Sequence, residues 1–114
     1  MSKGKVYIVQ ENPKFSVLIA GQYGELDVLL PHGSQIVLSV APTLNLIRKR
    51  LRDYSDNDYI VAIGDPTAIA IACMVAAESN RGVVNMLKWD KREKMYYPVT
   101  IDMLGRKDKE KWVK

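Results

Sequence analysis

Residues 59–78 constrain this chain most: Tyr-Ile-Val-Ala-Ile-Gly-Asp-Pro-Thr-Ala-Ile-Ala-Ile-Ala-Cys-Met-Val-Ala-Ala-Glu. Tyr59 to Ile63 is apolar with no polar alternation, the pattern of a strand buried on both faces in a parallel sheet. Gly64 supplies the corner. Asp65 then offers a side-chain oxygen to the first free N–H groups of a helix, and Pro66 fits its first turn, where a missing N–H costs nothing. That helix is apolar on nearly every face, and its alanines at 68, 72 and 76 form an i, i+4 ridge that permits close approach to a neighbour. Only a layered α/β core encloses both elements on all sides.

Around this unit the remaining elements follow from periodicity and punctuation. Lys5 to Gln10 reads as a strand, Glu11 to Lys14 as a turn and Phe15 to Ala20 as a second strand. Gly21 and Gly24 suit a hairpin turn with positive φ, leading to a strand over Glu25 to Leu30. Pro31 to Ser34 breaks the chain before a short apolar strand over Gln35 to Ser39. Pro42 fits the first turn of a helix capped by Ser39, and Leu44, Ile47, Leu51 and Tyr54 share one stripe at about 100° per residue. Asn80-Arg81-Gly82 stops the second helix, with Gly82 in a left-handed position. Val83 to Trp89 and Met95 to Met103 read as an antiparallel pair around the charged loop Asp90 to Lys94. Pro98 consigns the last strand to an edge or a bulge.

Strand, helix, strand, helix, strand over residues 35–89 spells a Rossmann-like β-α-β-α-β centre, because right-handed crossovers set consecutive strands parallel and adjacent. The expected fold is therefore α/β: a single domain over residues 1–105 with a mixed sheet, antiparallel hairpins at both ends, and a charged tail over 106–114. At 114 residues, 47% hydrophobic and 26% charged, the chain has the composition of an ordinary globular domain with one core. Its longest apolar run, Ala68 to Ala77, is half the roughly 20 residues that cross a bilayer, and Met1 to Lys5 leads directly into a strand. Neither a membrane span nor a secretion signal is expected, and the single Cys73 excludes a disulfide framework within one chain. Together these features imply a cytoplasmic setting.

The stretches IVAIGDPTAIAIACMVAAESNRG and MLKWDKREKMYYPVTIDM resemble small uncharacterised proteins of tailed bacteriophages. The resemblance implies a viral gene expressed in a host cytoplasm, and by analogy a protein directed at a host macromolecule. It brings no assigned activity, so no site residue is carried over with it.

In open α/β sheets, ligands bind beyond the carboxyl ends of the parallel strands. There the residues in position are Ser39, Gly64, Asp65, Thr67 and Asp90. A phosphate needs a glycine-rich loop for close backbone approach. This corner has one glycine, and Asp65 sets a carboxylate where the phosphate would sit, so its plain role is that of helix cap; a ribose or an amine still suits it. One His and one Cys cannot assemble a metal site or a nucleophilic triad, and His32 reads as a turn residue facing solvent. Glu25 and Asp27 lie two apart in a strand and share a face, as an ordinary wet face also requires. The expectation is a non-enzymatic protein without metal or cofactor.

A formal charge of +4 attracts polyanions weakly, since acidic residues are interspersed almost throughout. The basic side of the first helix, with Arg48, Lys49 and Arg52, and the hairpin residues Trp89, Lys91, Arg92 and Tyr96 are the contact surface for a partner. The preferred reading is a small binding or regulatory protein acting on a host protein. A nucleotide- or small-ligand-binding domain using the strand-end residues is the first alternative, and a nucleic-acid binder using the basic and aromatic residues is the second. A helix this apolar also suggests homo-oligomers, formed through it or through an edge strand.

Overall fold

The computed structural model describes residues 4–14, 17–33 and 40–106. In chain order these form strand β1 (Lys5–Gln10), a 3-10 helix (Leu18–Tyr23), strand β2 (Glu25–Leu30), helix α1 (Val40–Arg50), strand β3 (Tyr59–Val61), helix α2 (Pro66–Ser79), and strands β4 (Val83–Asp90) and β5 (Met95–Asp102). The strand expected over Gln35–Ser39 lies outside the described residues. All five strands join one mixed sheet in the order β2-β1-β3-β4-β5. The first four run parallel, and β5 pairs antiparallel with β4, from Asp90↔Met95 to Val83↔Asp102. The class is α/β. Two finer expectations differ.

The first is the N-terminal hairpin. Residues 18–23 form a 3-10 helix rather than a strand, and β1 and β2 lie side by side in parallel, with Lys5 opposite Glu25 and Gln10 opposite Leu30. The glycines that suggested a tight turn are not in the left-handed region. Gly24 is extended, and a Cβ there would collide with the carbonyl oxygen of Gly4. Its small size serves close approach of two chain segments, from which Glu25 donates its N–H to that same carbonyl at 3.1 Å.

The second is the Rossmann-like centre of consecutive neighbours. The described strand beside β3, opposite β4, is β1, with Val6, Tyr7 and Ile8 aligned with Tyr59, Ile60 and Val61. Val6 to Gln10 are all buried, so β1 is enclosed on both faces as well as both edges. Its continuous Val-Tyr-Ile-Val is the mark of a central parallel strand.

Cover on the two faces is unequal. Stepping from β1 to β2 moves the chain one way across the sheet, and the connections to β3 and β4 move it the other way. A constant right-handed crossover then places the first connection on the face opposite α1 and α2. Tyr7, Val9 and Ile60 pack with Ile47, Leu51 and Tyr54 from the α1 side and with Ala68, Ala72, Val75 and Ala76 of α2. On the opposite face Val6, Ile8, Val61, Leu87 and Tyr96 meet Ala20, the buried residue of the 3-10 helix.

Within α2, Ile71 and Val75 are buried, Ile69 and Cys73 are half-buried against the same core, and Met74 is exposed. Burial pushes the Cys73 thiol up, away from a reactive thiolate. Among the described residues, no helix is long and apolar enough to cross a membrane.

Asp58, buried at the amino end of the sheet, accepts hydrogen bonds from the backbone N–H of Lys5 and of Ser55, each at 2.8 Å. Beside it the Tyr54 hydroxyl accepts from the Asn85 N–H at 2.9 Å and lies 3.2 Å from the carbonyl oxygens of Asp58 and Asn85. Burial is the main cause that raises the ionisation of Tyr54 and lifts Tyr7 to about 12, with Asp58 adding to both. A raised phenol favours the folded state fully below its unfolded pKa near 10, and that contribution is lost as pH climbs to the folded value. In urea melts, the stability of the protein is expected to fall between pH 10 and about 12, with Tyr7 contributing on the order of 2 kcal/mol. Tyr7→Phe should fall less steeply over that range. An identical alkaline slope in the variant would show that the Tyr7 phenol plays no part.

Candidate functional site

The chain reverses its direction of travel across the sheet between β1 and β3. Both Gly64 and Gln10 are required by the junction. Gly64 has φ +127°, and a Cβ on it would overlap the Cβ of Gln10. Past this contact the Gln10 side chain accepts from the Asp65 N–H at 2.8 Å and donates to the Pro31 carbonyl at 3.4 Å. One amide thus ties the end of β1 to the corner that begins α2 and to the chain leaving β2. The Gln10 N–H meanwhile reaches the Ile63 carbonyl at 2.9 Å, which continues the β1–β3 ladder beyond β3.

Asp65 is the cap of α2, accepting from the Thr67 N–H at 2.7 Å with Pro66 in the first turn. This bond holds the carboxylate over the N-terminus of the helix, where the positive end of the helix dipole favours it.

A cleft of about 830 Å³ opens at this rim, on the face that the 3-10 helix covers. Its floor is apolar: Val61 and Ile63 from β3 and its extension, Leu87 from β4, and Ile19 from the 3-10 helix. Trp89 and Tyr96 form one wall, their rings edge to face with centroids 4.9 Å apart. Tyr96 is buried, whereas Trp89 is 40% exposed, so a fixed ring braces an accessible one. The polar rim carries Glu11, Asn12 and Lys14 after β1, His32 after β2, Asp65 after β3, and Lys88 on β4. His32 is exposed, with Nδ1 3.3 Å from the Glu11 carbonyl oxygen.

Of the residues singled out by sequence, Gly64, Asp65, Trp89 and Tyr96 meet in this cleft. Ser39 lies outside the described residues. The Thr67 N–H is spent on Asp65, and Asp90 accepts from the Arg92 N–H at 2.9 Å within the β4–β5 turn. Arg48, Lys49 and Arg52 are exposed at the far end of α1. Arg48 pairs with Glu78 at 3.2 Å, and Arg50 approaches Asp27 at 4.0 Å, near Lys5 at the start of β1. Those cations mark the amino ends of the parallel strands, and Lys91 and Arg92 follow the carboxyl end of β4. The two basic groups occupy opposite rims. Asp27 also meets Lys5 at 3.5 Å, as a carboxylate on a wet sheet face does.

Gln10, Glu11 and Lys14 were not among the residues singled out, and His32 reads from the sequence only as a turn residue facing solvent. Strands read over Lys5–Gln10 and Phe15–Ala20 around a turn took the end of β1 and residues 11–14 away from the parallel rim.

The model of a family of phage Pam3 gp32-like proteins matches residues 4–103, a span that includes all five strands and both α-helices. The chain belongs to this family. The resemblance to small phage proteins carried by residues 60–82 and 86–103 is borne out over most of the chain. No curated protein and no solved structure matches it.

The Gln10–Gly64 contact gives a direct test of how the rim is built. Gly64→Ala is expected to lose about 1–3 kcal/mol in urea unfolding, from backbone strain together with the overlap on Gln10. Gly33→Ala is the control, since Gly33 also has positive φ, +87°, but nothing lies within 4 Å of its would-be Cβ. Equal losses in the two variants would mean that the contact with Gln10 does not shape this corner.

Proposed function

We propose that this phage-family protein binds a small molecule in the cleft between the carboxyl ends of β1, β3 and β4. The observation that carries the reading is the coincidence of the cleft with the switch point between β1 and β3, the position that open α/β sheets use for ligands. About 830 Å³ falls within the range of small-molecule sites, and an apolar floor with a few convergent polar groups is their usual lining.

The test is a fragment screen followed by NMR chemical-shift mapping. Hits should perturb Val61, Leu87 and Trp89 together. Ala62→Trp fills the mouth from an exposed position beside the floor, so it should leave the fold intact and abolish those shifts. Hits scattered over the surface, or undiminished in Ala62→Trp, would refute a site here.

A second reading places a macromolecular partner, a host protein with an acidic surface, on the β4–β5 turn. It is supported by the phage family and by the exposed Lys91, Arg92 and Lys94 next to Trp89. Such binding should weaken steeply with added salt and vanish on charge reversal of Lys91 and Arg92 to Glu. A partner whose capture is indifferent to both changes does not use this turn.

A further inference from the structure

The charges and rings of the cleft restrict its ligand further, on the reading that it binds a small molecule. Glu11, Asp65 and Lys14 line it with charges of both signs, whereas Lys88 borders it on β4 but, between Leu87 and Trp89, has its side chain on the opposite face. Two carboxylates beside one ammonium leave no surplus positive charge, so an anion brought there would lose hydration without compensation.

The two sides of the cleft differ in kind. On one side Trp89, braced edge-on by the buried Tyr96, presents part of its ring to the opening. An exposed, fixed indole is a platform for a flat ring. On the other side the N-terminus of α2, elsewhere a natural phosphate site, is already occupied by the carboxylate of Asp65, held by the Thr67 N–H at 2.7 Å. The Asp65 N–H is likewise committed, to the Gln10 side chain. An ionised carboxylate accepts hydrogen bonds and donates none. This end of the cleft therefore selects hydroxyl or amino donors and opposes phosphate.

From these features we infer that the ligand is an uncharged nucleoside, its base stacked on Trp89 and its sugar hydroxyls directed at Asp65. The same sugar without phosphate binds more tightly than its 5′-monophosphate, since the added dianion would lie near the Asp65 carboxylate.

Tryptophan fluorescence tests this directly. The chain has two tryptophans, so Trp112→Phe leaves Trp89 as the only indole. Titration of that variant with adenosine, guanosine, cytidine and uridine should give saturable quenching with at least one of them. The matching 5′-monophosphate should bind about tenfold more weakly, and so should the 2′,3′-dideoxynucleoside, which lacks the hydroxyls. Asp65→Asn keeps an equivalent helix cap; in it the loss for the dideoxynucleoside and the discrimination against phosphate should both shrink. Tighter binding of the monophosphate than of the nucleoside would overturn the inference. If no nucleoside quenches while fragments still map to the cleft in an Ala62→Trp-sensitive way, the nucleoside is excluded and the site stands. If neither binds, both fall.

Discussion

Enclosure of β1 is the constraint on which the other elements depend. Two parallel neighbours satisfy its backbone on both edges, and side chains that alternate between the faces bury Val6 and Ile8 on one side and Tyr7 and Val9 on the other. Such a strand needs cover above and below, and elements that follow it in sequence supply that cover from both sides. β2 is laid down on one edge, and the chain then travels back past β1 to begin β3 on the other.

This reversal accounts for the asymmetry of the two faces. Two helices, of 11 and 14 residues, share one face. The other receives a six-residue 3-10 helix, roughly 12 Å long at about 2 Å per residue, against a sheet that spans about 19 Å between its outer strands. Cover of that size shields the middle of the face around Ala20 and leaves the carboxyl rim open. The cleft is thus a product of topology: its floor is core side chains of β3 and β4 for which, among the described residues, the 3-10 helix is too short a lid. Its rim is polar because the four parallel strands end there in turns. The Gln10 side chain then locks three of those turns to one another.

Much of this was legible in the sequence wherever a local signal had one structural solution. The Gly64 corner, Asp65 as cap with Pro66 behind it, and the Ile47, Leu51 and Tyr54 stripe all appear where pattern and punctuation place them, and the strand read over Tyr59 to Ile63 begins at Tyr59 but ends at Val61, with Ala62 exposed. Pro98 falls in an edge strand, as a residue without an N–H should. The failure lay in pairing. Nothing local separates a strand that turns back on its neighbour from one that crosses over to run parallel, and Gly21 and Gly24 resemble a hairpin turn although Gly24 is small because Gly4 approaches it. The unbroken Val-Tyr-Ile-Val of β1 was the signal that could have corrected this, since a hairpin strand with one wet face has no use for four apolar residues in a row. Half of the candidate site was lost with that choice: Asp65, Trp89 and Tyr96 were found through β3 and β4, while Gln10, Lys14 and His32 depend on the parallel β1–β2 pair.

Cross-strand nuclear Overhauser effects in the isotope-labelled protein test the central position of β1 most directly. Backbone contacts should link Val6, Tyr7 and Ile8 to Leu26, Asp27 and Val28 on one edge and to Tyr59, Ile60 and Val61 on the other, both with parallel register. Antiparallel contacts between Lys5–Gln10 and residues 15–20, with none to β3, would contradict the strand order, the switch point and the site built on it.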